Sequence, residues 1–219
     1  MRREEWSNIR WVYSSQTWPQ HLFCEGSTFI TTFSNKLGLK VSGPDEGIVV
    51  VFTGKGKGKT SAALGIVLRA VGHGHKVGMI QFIKGEWFYG ELISSKRLEP
   101  EFEMIVAGKG FVGIIDDDHP LEAHRMAAQK AISLAKEKTL SGNYDIIILD
   151  EINYALNMKL LVLQDVIDII NARPKKTTLV LTGNHAAAEV LDLADMVTEM
   201  REIKHPYARG IKAKKGIDY

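Results

Sequence analysis

The chain has 219 residues, of which 45% are hydrophobic and 25% are charged, and its formal net charge is +2. This composition predicts a globular chain with a core, and so small a net charge gives no support for nucleic-acid binding. The single cysteine, Cys24, excludes an internal disulfide and a cysteine metal cluster, and it favours a cytoplasmic location. We expect no membrane association, because no apolar run approaches the roughly 18 residues of a membrane span and the N-terminus lacks a signal-peptide pattern.

Residues 1–46 differ from the rest of the chain, because they hold three of its four tryptophans and show little hydrophobic periodicity. Segments without an apolar pattern rarely pack well, so the favoured interpretation is a weakly ordered extension, or a start codon assigned too early at Met1. The alternative is a lid or a partner-docking arm. We therefore predict an N-terminal extension over 1–46 and a domain over 47–219.

A buried-strand pattern at 48–52 leads into a glycine- and lysine-rich loop, and a helix is predicted to begin at Ser61. Strand, loop and helix in this order make a phosphate site, because loop N–H groups and the helix N-terminus face one centre. The predicted nucleotide contacts in this segment are Gly54, Lys55, Gly56, Lys57, Gly58, Lys59, Thr60 and Ser61.

Two side chains of this loop have expected roles in phosphate chemistry. Lys59 supplies a mobile cation for phosphate oxygens, and the hydroxyl of Thr60 is placed to bind Mg²⁺. The match to the usual pattern is incomplete, because Thr53 stands where that pattern has its first glycine. The alternative interpretation is a glycine-rich turn that carries ordinary surface lysines.

The helix after the loop is predicted to end at Gly72, and its apolar residues recur at i, i+3, i+4 and i+7. This stripe consists of Leu64, Val67, Leu68 and Val71. Arg69 on the same helix either reaches the nucleotide or faces solvent. Further strands are predicted at 76–82, 102–106, 144–151, 177–181 and 196–203, with helices at 121–138, 160–171 and 186–194 and a short helix within 84–100.

Continuously apolar strands that alternate with helices predict the α/β class, with a mostly parallel sheet and helices on both faces. Ligands bind beyond the carboxyl ends of such strands, so we expect 54–60, 150–151 and 182–184 to meet in one crevice. Asp150 and Glu151 follow an apolar strand and could bind Mg²⁺ opposite Thr60. The alternative is a surface pair that opens the next loop.

Seven segments of the chain resemble motifs of one family, and taken in order they are 53–63, 81–87, 149–151, 171–174, 182–184, 191–195 and 212–219. The family that they closely resemble is the ATP:corrinoid adenosyltransferases, which belong to cobalamin biosynthesis and have a RecA-like phosphate-loop fold. The resemblance covers about residues 46–219 and includes the missing first glycine. It implies a cytoplasmic, homodimeric transferase that moves the 5′-deoxyadenosyl group of ATP to the Co(I) centre of a corrinoid and releases triphosphate.

The resemblance also implies roles for individual residues. Lys59, Thr60 and Glu151 would be catalytic, and Thr60, Asp150 and Glu151 would bind Mg²⁺, with Mn²⁺ as an alternative ion. Gly108-Lys109-Gly110-Phe111 matches the family's glycine-rich loop, which implies that Phe111 contacts the corrinoid and helps to displace the lower axial ligand of Co(II). Val112 and Gly113 stand where the family has a second aromatic residue.

The basic tail contains Lys212, Lys214 and Lys215, and it either attracts an acidic flavodoxin-type reductase or is ordinary surface. Two other functions stay open on the residues alone. One is a phosphate-loop ATPase or kinase, and the other is a corrinoid- or nucleotide-binding sensor without turnover.

Overall fold

The computed structural model describes residues 46–85, 88–110, 112 and 119–219. They belong to one of the two units into which the chain divides, Ser42–Tyr219. The predicted boundary between residues 46 and 47 therefore stays a prediction. Phe111, and with it the corrinoid contact that we assigned to this side chain, lies outside the described residues.

Short runs of Val, Ile and Leu form the strands, because branched side chains pack well on a pleated surface. In chain order the strands are β1 Val49–Thr53, β2 Val77–Gln81, β3 Phe102–Val106, β4 Ile146–Asp150, β5 Thr178–Thr182 and β6 Met196–Glu199. They form one sheet in the order β3-β2-β4-β5-β1-β6, and every pairing is parallel. The predicted α/β class and parallel sheet are thus confirmed, and β5 lies between β1 and β4.

Helices cover both faces of this sheet, as the apolar strands require. In the described part they are α1 Lys59–Gly72, α2 Glu91–Ser94, α3 Leu121–Leu140, α4 Ile152–Asn157, α5 Leu163–Ala172 and α6 Ala188–Asp192, with 3₁₀ turns at Ser95–Leu98 and Pro206–Arg209. On β1, Val50 and Phe52 pack in one core cluster with α1, and Val49 and Val51 pack in another with α3, α4, α5 and α6. None of the described helices is long and apolar enough to cross a membrane.

The first helix differs from its prediction at its start and in its buried face. It begins at Lys59 rather than Ser61, because the N–H of Ala62 donates to the carbonyl of Gly58 at 2.7 Å and closes the first turn earlier. The predicted stripe is wrong at Leu68, which is 67% exposed, whereas Ala63 and Ala70 are buried beside Val67. Small side chains let the helix approach the sheet closely, and this contact decides which face is buried.

Two later predictions are also corrected. The helix predicted at 160–171 begins at Leu163, because Leu160 and Leu161 enter the core as loop residues, and α4 was not predicted at all. The last strand ends at Glu199 rather than at residue 203. Beyond it the chain contacts the loop after β1, where the carbonyl of Met200 accepts from the N–H of Gly56 at 2.7 Å.

Candidate active site

The loop between β1 and α1 needs glycine for its shape at two positions. Gly54 and Gly58 have φ values of 94° and 107°, a region that side-chain-bearing residues rarely adopt. A Cβ atom at Gly54 would also lie 2.4 Å from the carbonyl oxygen of Met200. The loop therefore packs closely against the chain that follows β6, and it turns sharply into the N-terminus of α1.

Thr53, which replaces the usual first glycine, makes a contact that glycine could not. Its Oγ1 accepts a hydrogen bond of 3.2 Å from the N–H of Ala186, and the residue is buried. This bond joins the last residue of β1 to the segment after β5. The departure from the usual pattern is thus a structural link between two of the segments that were expected to converge.

Lys59 lies in the first turn of α1 and folds back across the loop. Its Nζ donates to the carbonyl oxygens of Gly54 at 2.8 Å and Gly56 at 3.0 Å. These bonds hold a positive charge beside the helix N-terminus, where free N–H groups already favour an anion. The arrangement is suited to binding phosphate oxygens.

Asp150 is the fully buried centre of the hydrogen-bond network. Its Oδ1 accepts from the hydroxyls of Thr60 at 2.9 Å and Thr182 at 2.7 Å, and its Oδ2 accepts from the amide of Gln81 at 3.2 Å. Burial raises the pKa of Asp150, although these three donors favour the ionised carboxylate. The expected convergence of the segments after β1, β4 and β5 is confirmed by these contacts.

Glu151 directly follows β4 and caps α4 in a left-handed conformation, with φ 61°. Its N–H donates to the hydroxyl of Thr182 at 2.9 Å, which fixes the turn. Burial, and after it the charge of Asp150, raise the pKa of Glu151 to about 7 against the opposing charges of Lys59 and Lys84. The side chain therefore exchanges a proton near neutral pH in the ligand-free protein.

Glu151→Gln is expected to remove a pH-dependent loss of stability. Because the pKa of Glu151 is raised from 4.5 to about 7, the folded protein holds this proton over a range where the unfolded chain releases it. The resulting stability is present at low pH and is lost as the pH rises through about 7. From about pH 5 to about pH 8, the wild-type free energy of unfolding should fall by about 2 kcal/mol relative to the variant.

Urea denaturation of both ligand-free, metal-free proteins at the two pH values measures this difference. Asp168→Asn is the matched control, because it removes a carboxylate from an exposed position on α5. It should follow the wild-type pH profile. Parallel profiles for the wild type and Glu151→Gln would contradict the raised pKa.

The network borders a cavity of about 440 Å³ at the start of α1. Its lining includes Lys57, Gly58, Lys59, Thr60, Ser61, Lys84, Glu91, Glu151 and the C-terminal residues 216–219. Asp218 of this tail forms an ion pair with Lys57 of the loop and accepts from the N–H of Lys214 at 2.8 Å. The phosphate loop and the C-terminal tail therefore contribute to one site.

The sequence interpretation assigned no role to Gln81, Lys84 and Asp218, which lie at this site. Gln81 is the last residue of β2, and Lys84 lies just beyond it. Because ligands bind beyond the carboxyl ends of parallel strands, the argument that predicted a role for Asp150 could also have predicted one for these two residues. The contact between Asp218 and Lys57 joins residues 161 positions apart, and no local pattern signals it.

Other predicted contacts are not brought to this cavity. Arg69 is exposed in the last turn of α1, and a rise of roughly 1.5 Å per residue places it about 15 Å along the helix from Lys59. Lys55 lines a separate cavity of about 610 Å³, with His185 and Glu199. Neither side chain joins the Asp150 network, so their predicted nucleotide contacts have no support from this geometry.

The donors beside the cavity suit a hard divalent cation that keeps part of its water shell. Among the described residues, no group of three or more His, Cys, Asp or Glu side chains could hold a metal ion. The available atoms are instead carboxylate and hydroxyl oxygens of Thr60, Asp150 and Glu151. Mg²⁺ prefers oxygen ligands, and it usually takes one or two carboxylates together with substrate phosphates and water.

Residues 45–219 match the model of the family described as ATP:corrinoid adenosyltransferase BtuR/CobO/CobP. The chain belongs to this family. This adenosyltransferase is 42% identical over 176 residues to the corrinoid adenosyltransferase of Escherichia coli K12, a match covering 80% of this chain and 87% of that protein. It is 39% identical over 175 residues to the corrinoid adenosyltransferase of Pseudomonas aeruginosa, covering 80% and 85% of the two chains.

The adenosyltransferase has the RecA-like fold that the resemblance implies, with β5 inserted between the phosphate-loop strand and the Asp150 strand. A solved KaiC-like protein from Pyrococcus horikoshii OT3 aligns with 73% of this chain and 75% of its own, at 14% identity and a TM-score of 0.44. Membership of the family makes the protein a corrinoid adenosyltransferase, and it does not favour an ATPase, a kinase or a sensor.

Proposed function

We propose that the cavity beside the phosphate loop binds ATP so that a Co(I) corrinoid attacks the ribose C5′ atom and intact triphosphate leaves. Cobalt supplies the electron pair of the new Co–C5′ bond, and the C5′–O bond breaks with its pair on the triphosphate oxygen. The hydrogen bond between Thr60 and Asp150 carries this proposal, because it joins the phosphate loop to the carboxylates at one cavity.

The chain's own groups are placed to accept the charge of the leaving triphosphate. The N–H groups at the end of the loop, over residues 57–58, and the N-terminus of α1 supply fixed dipoles, and Lys59 supplies a cation. Such preorganised donors stabilise charge that develops in a transition state without having to reorient. These groups lie at the carboxyl ends of the strands and hold the triphosphate end of ATP. The ribose end can then be oriented toward the corrinoid.

Thr60, Asp150 and Glu151 would hold the Mg²⁺ ion. The hydroxyl of Thr60 donates its hydrogen to Asp150, so its oxygen lone pairs remain for a cation. Asp150 already accepts three hydrogen bonds, which suits a role through water and through Thr60. When bound, the ion would neutralise charge on the triphosphate oxygens. Glu151 then serves as a metal ligand and not as a base that activates water.

Several expectations accompany this function and rest on the family resemblance. Phe111 is proposed to contact the lower face of the corrinoid. A homodimer, a flavodoxin-type reductase docking on the basic tail, a cytoplasmic location and the absence of nucleic-acid and membrane partners stay predictions. The exposed Lys212, Lys214 and Lys215 support the docking proposal, because an acidic partner would be attracted to them.

An anaerobic assay with ATP, Mg²⁺ and chemically reduced corrinoid tests the function directly. We expect one intact triphosphate per light-sensitive Co–C product, and no phosphate release without corrinoid. Phosphate analysis and the absorption spectrum before and after illumination measure these outcomes. Orthophosphate release without corrinoid would favour an ATPase, and tight ATP binding without product would favour a sensor.

A further inference from the structure

Lys84 lines the same cavity as Lys59, Thr60 and Glu151, but it comes from a different strand. It lies three residues beyond Gln81, the last residue of β2, and β2 pairs with the strand that carries Asp150. In this pairing Gln81 is directly opposite Asp150. The backbone therefore delivers the Lys84 side chain to the site beside the carboxylates.

The ammonium of Lys84 is held in place without using its hydrogen-bond donors. Its Nζ lies 3.6 Å from Oε1 of Glu91 and 4.2 Å from the centre of the Tyr89 ring. Both distances exceed that of a hydrogen bond, and no described residue accepts a hydrogen bond from this Nζ. The side chain is only 22% exposed, so its ammonium is positioned by these two neighbours and makes no hydrogen bond within the described residues.

The other two lysines of the cavity already make hydrogen bonds in the ligand-free protein, whereas Lys84 makes only the longer ion pair with Glu91. Lys59 donates to two loop carbonyls, and Lys57 pairs with Asp218. The charge of Lys84 also reaches the carboxylates, because it lowers the pKa of Asp150 and Glu151 against the stronger effect of burial. An anion entering this cavity would therefore meet Lys84 as a fixed cation with unused donors.

We propose that Lys84 binds the triphosphate of ATP from the β2 side and stays bound to it as the C5′–O bond breaks. This inference rests on the proposed function of the cavity. A polyphosphate carries several negative charges, and a lysine that faces them supplies a point charge and hydrogen bonds. Lys84 would thus be a substrate-binding residue that complements the Lys59 side of the phosphate loop.

Lys84→Met tests the inference by calorimetry with Mg²⁺ and inorganic triphosphate, in the absence of corrinoid. Loss of a charged hydrogen bond of about 1.5–3 kcal/mol corresponds to about a 10- to 100-fold rise in Kd. Lys84→Arg should restore most of the affinity, because it keeps the charge. Adenosine binding should not change. Lys96→Met is the matched control, because this lysine on the following 3₁₀ turn is exposed and pairs with Glu99.

Equal triphosphate affinity in the wild type and Lys84→Met would overturn the inference and leave the proposed function intact. A loss that affected adenosine or corrinoid equally, or that Lys96→Met reproduced, would also overturn it. Thermal unfolding of each variant separates the loss of a contact from the loss of the fold. If Lys84→Met is destabilised, the triphosphate affinities of Lys84→Arg and Lys84→Gln are compared instead. If the wild type bound no triphosphate, both this inference and the proposed function would fail.

Discussion

Lys59→Ala is expected to lower kcat/KM by about 10²- to 10³-fold while the protein stays folded. Removal of one preorganised charge donor at an active site has an effect of about this size. Because negative charge on the triphosphate grows as the C5′–O bond breaks, the loss should appear more in kcat than in KM. The variant also loses the bonds from Nζ to Gly54 and Gly56, which should change the free energy of unfolding by only about 1 kcal/mol.

The measurement is the initial rate with chemically reduced corrinoid at several ATP concentrations, together with urea denaturation. Lys136→Ala is the matched control, because this lysine is exposed on α3. It should retain wild-type kinetics. Unchanged turnover in Lys59→Ala would show that the phosphate loop does not hold the leaving group, and the assignment of the cavity would have to be abandoned.

The sheet was predictable because each buried strand is a short, continuous apolar run. Ile146–Asp150 has four apolar residues before its carboxylate, and both faces of such a strand must be covered. Parallel strands also place their carboxyl ends along one edge. The meeting of Thr60, Asp150 and Thr182 therefore followed from local patterns and one topological rule.

Other features depend on contacts that local patterns do not encode. The buried face of α1 uses Ala63 and Ala70 rather than Leu68, because close approach to the sheet outweighed the size of the apolar side chain. The six-residue helix α4 is too short to show a helical period, and it follows the left-handed turn at Glu151. The Asp218–Lys57 pair joins two segments that lie 161 positions apart, and no local pattern in either one indicates that they meet.

Asp150→Asn is expected to lower kcat/KM by at least about 10²-fold with little loss of stability. The substitution removes the buried negative charge that orients Thr60 and supports the divalent cation. Oδ1 of the new amide can still accept from Thr60 and Thr182. The Nδ2 of the new amide then faces Nε2 of Gln81, and two hydrogen-bond donors would meet. The conflict is removed if the Gln81 amide rotates, so that its Oε1 accepts from the new amide and its Nε2 donates to the hydroxyl of Tyr89.

That rotation keeps the number of hydrogen bonds, because the Tyr89 hydroxyl can accept as well as donate, but the Tyr89 hydrogen then loses Oε1 of Gln81 as its acceptor. Burial raises the pKa of Asp150, so ionisation of the wild-type carboxyl reduces stability as the pH rises, and the neutral amide avoids this loss. We therefore expect the variant to be at least as stable as the wild type at pH 8, by urea denaturation, although nearly inactive. A large loss of stability would show that the network cannot reorganise, and wild-type activity would show that the Asp150 charge is not part of the reaction.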